Sequence, residues 1–498
     1  MNQPIIKITI VAAFVLLASS CAVGPDFQRP APPQVKEYTS KPLPPAVSSA
    51  DTAQGESQQF VSGMDIPEQW WTLFHSPSLN KLVEQALNAN PSLAAARATL
   101  RQARENVFAA EGTLFPSVNA NASIVRQRTT GAQNGVPANP NQLFTLYNAS
   151  VTISYALDVF GEARRALEAI DAQEEFERFQ LEAAYLTLTS NVVTTAIQEA
   201  SLRAQIAATR EIVDVESQQL EMLQKQYDVG AISQSSVLVQ RTLLAQTRAN
   251  LPLLEKQLAQ VRNQLATLAG NFPSQDGGET FEMDALQLPH QLPVSLPSKL
   301  VEQRPDIRAS ESLLHAASAE VGVATASMFP QITINGGAGS PAVTAGGVFA
   351  SGSKVWNIGA GLTQPLFHGG TLLHQRRAAI AAYDAAAAQY RSTVLAAFQD
   401  VANVLDALQS DADILQAQTV ASHSARDNLD ITRKQYQIGA TNYAALLIAQ
   451  LAYRQTQIAL VQAQASRYAD TAALFQSLGG GWWNRTDKVP EPERGETN

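Results

Sequence analysis

Hydrophobic and polar residues follow the same order in two halves of the chain. The run 90–118 matches the run 304–332, with its prolines and phenylalanines at the same relative positions. Further along, Tyr227-Asp228-Val229-Gly230-Ala231 matches Tyr436-Gln437-Ile438-Gly439-Ala440. Landmarks that recur in one order and at one spacing indicate an internal duplication. Each copy is predicted to form a helix, two strands, a long helix, a glycine turn and a return helix.

Two pairs of segments alternate apolar and polar residues, at about 117–157 and about 331–364. A period of two predicts strands with one apolar and one polar face. Segments of about ten residues with this pattern have the length of a membrane-spanning strand. The aromatic residues of these segments would suit the two membrane interfaces: Tyr147, Tyr155 and Trp356. A soluble antiparallel sheet that is half buried on a core is the alternative interpretation.

Four strands cannot close a barrel, and open strand edges are not tolerated inside lipid. We therefore expect each chain to contribute strands to a shared barrel, and three copies would supply about twelve strands. The connecting loops, at about 129–144 and 340–353, are rich in Gly, Asn, Pro, Ala and Thr. Long loops of this kind are expected on the outer face of the membrane.

The helical segments are long. A first helix is predicted from about Ser78 to Gly112, and the runs 162–228 and 371–437 each contain 67 residues without proline or glycine. Each run would extend about 100 Å as a helix. Return helices are predicted at 234–270 and 443–478. Heptads of Leu and Val in the first return helix, together with an a/d pattern in the long helix before it, favour coiled-coil packing, and Pro252 should kink or divide that return helix. Gly230 and Gly439 would let the chain reverse between the helices.

The first twenty residues are typical of a secretion signal. Lys7 precedes the apolar run 8–17, and Ala18-Ser19-Ser20 would form a cleavage site. Cys21, the single cysteine of the chain, follows directly. An unpaired thiol is a liability in an oxidising compartment, and a covalent lipid on this sulfur would remove it. Leu17 lies four residues before the cysteine rather than the usual three. The alternative is a plain secretion signal with an incidental cysteine.

Composition and charge exclude several functions. The net charge of −9 argues against a nucleic-acid partner. The six histidines have no zinc-ligand spacing, and no phosphate-binding loop or nucleophile elbow occurs. We therefore expect neither an enzyme nor a metal site, and no cofactor other than the covalent lipid.

These features together resemble the outer-membrane factor family of tripartite exporters, the TolC-like proteins, in its lipoprotein branch. The motifs that match lie along essentially the whole mature chain: Cys21-Ala22-Val23-Gly24-Pro25-Asp26-Phe27, Arg304-Pro305-Asp306-Ile307-Arg308, the two Tyr-x-x-Gly turns at 227–230 and 436–439, Leu251-Pro252-x-Leu254, and Leu265-Ala266-x-Leu268-x-Gly270.

The resemblance implies a mixed α and β membrane protein, with a trimeric twelve-stranded β-barrel and a twelve-helix α-barrel. A signal peptide at 1–20 would precede the two repeats, 78–270 and 299–479. An equatorial region would then combine the lipid-anchored segment 21–77, the linker 271–298 and the tail 480–498. The implied partners are two further copies of the chain, a periplasmic adaptor, an inner-membrane transporter and outer-membrane lipid. The implied location is the outer membrane of a Gram-negative bacterium, extending into the periplasm.

The resemblance also suggests functional residues. The two turns are candidates for adaptor contact, although they could simply be turn residues: Gly230, Ala231, Ile232, Ser233, Gly439, Ala440, Thr441 and Asn442. Family members often close their aperture with acidic residues on the following helix, but this chain has Ile448 where relatives have Asp, and Leu451 follows. The departure predicts an apolar constriction that gates by dewetting. The alternative is that both side chains pack in the helix seam.

The expected function is a passive exit duct of an efflux pump. Two other functions remain open at this level: the exit duct of a protein secretion system, and a non-conducting periplasmic coiled-coil lipoprotein. The coiled-coil tether would explain Cys21 and the heptads, but it would not explain four alternating strands in two matched hairpins.

Overall fold

The computed structural model describes residues 22–53, 55–130, 142–275 and 278–486. Four predictions therefore lie wholly or mainly outside the described residues: the signal peptide at 1–20, the lipid attachment at Cys21, the loop at 129–144 and the tail at 480–498. The chain divides into two compact units. The first unit contains Met1–Pro30, Thr99–Glu177 and Ala309–Arg391, and the second contains Ala31–Ala98, Arg178–Arg308 and Ser392–Asn498.

The α-helices of the described residues follow the repeated order predicted from the sequence. They are α1 Pro77–Ala89, α2 Pro91–Glu111, α3 Glu162–Asp228, α4 Gln234–Leu268, α5 Pro297–Gln303, α6 Pro305–Ala326, α7 Thr371–Gln437 and α8 Tyr443–Ser477. The two long helices α3 and α7 have the predicted bounds. Within the described ranges, no helix combines the length and the hydropathy that a membrane-spanning helix requires.

The described strands form two sheets. They are β1 Gln59–Ser62, β2 Ser117–Thr129, β3 Gln142–Leu157, β4 Gln291–Val294, β5 Gln331–Ala342 and β6 Val355–Thr363. In the first unit, β2, β3, β5 and β6 form one antiparallel sheet in that order. Both predicted hairpins are therefore present, and they pair with each other through β3 and β5. The connection between β5 and β6 contains two short 3₁₀ turns, Gly346–Phe349 and Ser351–Ser353.

The first helix of each repeat is divided, which corrects the single helix predicted from Ser78 to Gly112. A break at Asn90 separates α1 from α2, and a break at Arg304 separates α5 from α6; both residues have extended backbone angles. Proline follows each break, and proline disfavours the helical conformation in the residue before it. The side chain of Asn90 accepts hydrogen bonds from the backbone N–H groups of Ser92 and Leu93, so it caps the new helix.

Pro252 has a different effect. The sequence predicts that it kinks or divides the return helix, yet α4 continues without a break from Gln234 to Leu268. Pro252 leaves the carbonyl of Arg248 without its helical donor. Both residues are exposed, so water can satisfy that carbonyl. The two return helices end slightly before the predicted 270 and 478, because Gly270 and Gly479 adopt positive φ angles.

Aromatic residues form the core of the second unit. Trp70 stacks on Phe475 with ring centroids 5.3 Å apart, and Phe74 packs against Trp70 and Tyr468. The buried hydroxyl of Tyr468 donates to the carbonyl oxygen of Leu286 at 2.8 Å. In the same unit β1 pairs in parallel with β4, residue 59 opposite residue 291. The sequence pattern does not predict this pair. Backbone pairing with β4 holds β1 in the second unit, and the aromatic contacts hold the residues that follow it.

Candidate functional site

The register of the four-stranded sheet places apolar residues on one face. Residues directly opposite each other across antiparallel strands share a face. Two rows of such neighbours are Val118–Ile153–Gly336–Ile358 and Ala120–Val151–Ala338–Trp356. The adjacent rows on the other face are polar or small: Asn119–Thr152–Gly337–Asn357 and Ser117–Ser154–Asn335–Gly359. The alternation seen in each strand is therefore in phase across the sheet.

The apolar face of the sheet is exposed within the single chain. Ile124, Trp356 and Ile358 are 71%, 78% and 75% accessible. The outer strands β2 and β6 each have a neighbour on only one side among the described residues. A soluble sheet half buried on a core would cover its apolar face, so that alternative has no support in this chain. Exposed apolar residues and unpaired strand edges together indicate that other molecules cover this sheet.

The residues that follow Cys21 pack within the first unit. The backbone N–H of Val23 donates to the carbonyl oxygen of Phe160 at 3.1 Å. Asp26 forms an ion pair of 2.5 Å with Arg165, whose guanidinium also contacts Glu168. The phenyl ring of Phe27 stacks on His315 at 4.3 Å. The contacts of Val23, Asp26 and Phe27 therefore hold the beginning of the described chain beside the turn that follows β3.

Both predicted turns reverse the chain through the same backbone geometry. Gly230 and Gly439 have φ angles of 75° and 73°, which favour glycine. After α3, the N–H of Ala231 donates to the carbonyl oxygen of Gln226 at 2.8 Å. After α7, the N–H of Ala440 donates to the carbonyl oxygen of Gln435 at the same distance. This pattern is a Schellman motif, which explains the glycines without any partner.

The turn residues beyond the glycines differ between the repeats. The side chain of Asn442 accepts a hydrogen bond of 3.0 Å from the N–H of Ala445 and caps α8. Ser233, at the matching position before α4, has no such cap bond. The residue before each glycine, Val229 or Ile438, is 80% accessible. The structure thus places the eight predicted contact residues at two matched turns that each present an apolar side chain to solvent.

Two tyrosines connect the helical hairpins near these turns. The hydroxyl of Tyr436 on α7 donates to Oε1 of Gln226 on α3 at 2.9 Å. The hydroxyl of Tyr443 on α8 donates to Oε1 of Gln240 on α4 at 2.7 Å. Burial is the main cause that raises the pKa of Tyr443 to about 12. In the sequence, Tyr436 stands out only as a landmark of the repeat. Its partner Gln226 could not be predicted, because the two residues are far apart in the chain.

A layer of buried polar side chains lies close to the tyrosine contacts. Gln240 donates through Nε2 to the backbone carbonyl of Glu216 at 3.2 Å, and Arg454 donates to Thr247 Oγ1 at 3.1 Å. Burial raises the pKa of the Glu216 carboxyl group, against the lowering effects of Thr247 and Arg454. Gln450 is 4% accessible, and both polar atoms of its amide lack a hydrogen-bond partner. Buried polar groups of this kind weaken a helix interface relative to apolar packing.

The two aperture candidates lie on the outward side of α8. Ile448 is 68% accessible and Leu451 is 36% accessible. Their neighbours Ala449 and Tyr453 belong to an apolar cluster with Leu429 of α7. The alternative interpretation was that both side chains pack in the seam of their own hairpin. Their exposure contradicts it. Whether these residues line an aperture stays a prediction.

The described part of the chain contains no cluster of three or more His, Cys, Asp or Glu residues arranged to hold a metal ion. The features with functional potential are therefore an uncovered apolar sheet face, two matched turns and an exposed apolar position on α8.

Comparison with known proteins gives a consistent assignment. The chain is 29% identical to the toluene efflux pump outer membrane protein TtgC of Pseudomonas putida, over 98% of each chain. It is 28% identical to the probable outer membrane lipoprotein SilC of Salmonella typhimurium, over 96% of this chain and 99% of the relative. The solved structure of the outer-membrane channel OprN matches with a TM-score of 0.83 and 28% identity, over 93% of this chain and all of that one (100%).

The family described as outer membrane efflux protein matches residues 82–271 and 296–480, one range in each repeat. These ranges include the four-stranded sheet, both turns and the long helices. TtgC is described as an efflux pump outer membrane protein and OprN as an outer-membrane channel, and neither description is that of an enzyme. From the sequence repeat, the sheet, the paired helical hairpins and these matches, we conclude that the chain belongs to the outer membrane efflux protein family.

Proposed function

We propose that three copies of this chain form one closed barrel, which serves as the outer-membrane exit duct of an efflux pump. The observation that supports this proposal best is the in-phase apolar face of the sheet, from Val118 on β2 to Ile358 on β6. Lipid would cover this face. Strand edges β2 and β6 cannot remain unpaired in lipid, and pairing each with the next copy would satisfy them in a barrel of about twelve strands.

The helical hairpins form the periplasmic conduit in this proposal. Helices α3, α4, α7 and α8 of three copies would supply about twelve helices, with coiled-coil packing between neighbours. A periplasmic adaptor would bind the turns Gly230–Ser233 and Gly439–Asn442 and connect the duct to an inner-membrane transporter. The two exposed apolar side chains Val229 and Ile438 support an interface there, because apolar side chains at a turn gain free energy when a partner buries them.

A lipid on Cys21 would anchor each chain to the outer membrane. The packing of Val23, Asp26 and Phe27 within the first unit supports this proposal, since it holds the residues next to Cys21 beside the turn after β3. SilC, similar over 96% of this chain, carries the description of a lipoprotein. Intact-mass spectrometry of the membrane-purified chain should show the mass of an acylated Cys21, and a Cys21→Ser variant should lack it. An unmodified wild-type cysteine would contradict the proposal.

The aperture is proposed to be apolar and to involve Ile448 and Leu451. Their exposure on α8 leaves them available to face the matching residues of other copies. An apolar ring excludes water and ions when it is narrow, so it would gate by dewetting. The duct would then need no acidic residue at this position.

A planar lipid bilayer tests the duct itself. The purified full-length chain should behave as a trimer and produce discrete conductance steps. A stable monomer, or a trimer that leaves the bilayer silent, would contradict the proposal and would favour a non-conducting lipoprotein.

The aperture is tested by the double variant Ile448→Ser and Leu451→Ser. We expect a higher single-channel conductance than that of the wild-type trimer, because serine hydroxyls allow water into the constriction. The matched control is Leu253→Ser on α4, an exposed leucine outside the proposed aperture. Equal conductance of the wild type and the double variant would remove the apolar aperture from the proposal while leaving the duct intact.

A further inference from the structure

The two hairpins of the four-stranded sheet have the same internal register. Ser117 and Gln331 occupy matching positions of the repeat, because the run 90–118 matches the run 304–332. Ser117 lies opposite Ser154, and Gln331 lies opposite Thr363. Ser154 on β3 and Thr363 on β6 therefore match as well, and so do the other residues of these strands at the same spacing.

The spacing between β3 and β6 continues into the helices. Gly161 and Gly370 lie at this spacing directly before α3 and α7, and they have positive φ angles of 80° and 88°. Tyr227 and Tyr436, before the two glycine turns, are related by the same spacing. The match between β3 and β6 therefore belongs to the repeat as a whole.

One junction between repeats lies inside the chain. There β3, the second strand of the first repeat, pairs with β5, the first strand of the second repeat. In a trimeric barrel β6 of one copy pairs with β2 of the next copy. This junction again brings the second strand of one repeat against the first strand of another, so the two junctions have the same order and the same antiparallel sense.

We infer that, in the trimeric barrel on which this register depends, the junction between copies repeats the register of the β3–β5 junction. Four pairs inside the chain define it: Leu157–Ile332, Ile153–Gly336, Val151–Ala338 and Tyr147–Ala342. Each residue is then replaced by its match in the other repeat. The pairs between β6 of one copy and β2 of the next are therefore Leu366–Val118, Leu362–Ala122, Ala360–Ile124 and Trp356–Arg128.

This register keeps the two faces of the sheet continuous between copies. Leu362 lies on the apolar face of β6, two pairs of residues along the strand from Ile358. Ala122 lies on the apolar face of β2, in line with Val118. A register shifted by one residue would turn every side chain of one strand to the opposite face of its neighbour. The transferred register instead places apolar positions beside apolar positions.

The same register gives a partner to an exposed leucine that follows β6. Leu157 is the last residue of β3 and lies opposite Ile332, whereas its match Leu366 lies beyond the end of β6 and is 91% accessible. Val118, the residue that would face Leu366, is 63% accessible. Contact between copies would bury both apolar side chains. Pro365 has no N–H to donate, so side-chain burial contributes more here than ladder hydrogen bonds.

A contact between an aromatic ring and a cation follows at the other end of β6. Trp356 is 78% accessible and Arg128 is exposed in the single chain. Residues directly opposite each other on one face have Cβ atoms about 4.5–5.5 Å apart, which allows a guanidinium group to stack on an indole ring. The junction inside the chain has Tyr147 opposite Ala342, so this contact is specific to the junction between copies.

Disulfide formation tests the register directly. Full-length protein with Leu362→Cys and Ala122→Cys is purified from membranes, oxidised and run on denaturing gels without reductant. We expect covalent dimers and trimers that disappear on reduction, because opposite Cα atoms about 4.5–5.5 Å apart suit a disulfide. The controls combine Leu362→Cys with Ala120→Cys or Ile124→Cys, which lie diagonally at about 7–8 Å and should cross-link far less. Single-cysteine variants measure any contribution of Cys21.

Failure of the register is distinguishable from failure of the barrel. Stronger cross-linking of a shifted pair would overturn the register and leave the trimeric barrel intact. A heat-resistant trimer in which none of the three pairs cross-links would have the same meaning. A wild-type chain that is monomeric would contradict the barrel itself, and the register with it.

Leu366→Ala provides a second test that needs no cysteine. Loss of the contact with Val118 should lower the temperature at which the trimer dissociates on semi-native gels, although Leu366 makes little contact within its own chain. The matched control is Phe349→Ala, an 89% accessible residue in the β5–β6 connection and outside the inferred pairs. Equal dissociation temperatures for Leu366→Ala and the wild type would overturn the register, and this comparison decides the case if the cysteine variants do not assemble.

Discussion

At the scale of single residues, the matching tyrosines of the two repeats make different contacts. Tyr227 and Tyr436 occupy matching positions before the glycine turns, but Tyr227 is 37% accessible and Tyr436 bonds to Gln226. Tyr443 adds a second bond, to the fully buried Gln240. A repeat in the sequence predicts equal backbones. It does not predict equal contacts, since residues of one copy also contact residues of the other.

The Tyr443 hydroxyl should contribute measurably to stability. In Tyr443→Phe, Oε1 of Gln240 loses its donor in a buried site, which should cost about 1–3 kcal/mol per chain. Thermal unfolding followed by circular dichroism should therefore give a lower Tm than the wild type. Tyr227→Phe is the matched control at an exposed position, and its Tm should stay close to the wild-type value. Equal Tm values for Tyr443→Phe and the wild type would mean that Gln240 finds another donor.

The functional candidates were predictable to different degrees. Gly230 and Gly439 follow from local chemistry, because a chain reversal after a helix favours glycine at a positive φ angle. The accessible positions of Ile448 and Leu451 did not follow, since a stripe of apolar residues on a helix looks the same whether it packs inside its own hairpin or faces another copy.

At the scale of secondary structure elements, three prolines had two different outcomes. Pro91 and Pro305 begin new helices after Asn90 and Arg304, whereas Pro252 is accommodated inside α4. Side chains explain the difference. Asn90 caps the following helix and also donates to the carbonyl of Leu268 at 2.9 Å, and Arg304 donates to the carbonyl of Ser477 at 3.1 Å. These breaks are therefore stabilised by packing against the ends of α4 and α8, which sequence periodicity alone does not reveal.

Removal of Pro252 should stabilise α4. Proline in a helix interior is about 3 kcal/mol less favourable than alanine, and Pro252 is exposed, so no packing would be lost. The variant Pro252→Ala should restore the hydrogen bond to the Arg248 carbonyl and raise the Tm. Leu253→Ala, at the exposed neighbouring position, should change the Tm little. A lower Tm for Pro252→Ala would show that the packing of α4 depends on the proline at this position.

Long elements were predictable and short ones were not. The bounds of α3 and α7 follow from runs without proline or glycine, and the strands of the large sheet follow from strict alternation. The pair β1–β4 has only four residues in each strand and joins segments far apart in sequence. Residue 59 lies opposite residue 291, so no local pattern could predict the pair.

At the scale of the whole molecule, the single chain is incomplete at its sheet. The apolar face is continuous from β2 to β6 and uncovered, and each outer strand offers one free edge within the described residues. A water-soluble sheet with these properties would aggregate. Lipid would cover the apolar face, and further copies of the chain would pair with the strand edges. Both features therefore support the trimeric barrel that we propose.

The two faces of β6 provide the sharpest test of that barrel. Successive residues of a strand point to opposite faces, so Ile358 would face lipid and Asn357 would face the lumen. A charged residue on the lipid face of a barrel costs about 2–4 kcal/mol near the bilayer centre, while lumen positions tolerate charge. Ile358→Arg should therefore reduce the yield of heat-resistant trimer in outer-membrane fractions on semi-native gels. Asn357→Arg should assemble normally and change only the ion selectivity in a planar bilayer.

If Asn357→Arg failed to assemble and Ile358→Arg assembled normally, Asn357 would face the lipid and Ile358 would face the lumen. Equal tolerance of both arginines would contradict the barrel, because a soluble sheet edge exposes both faces to water and distinguishes them only weakly. The comparison is informative because the two variants share one strand, one substituted residue type and adjacent positions. Any difference between them must then come from the environment of each face rather than from strand propensity or net charge.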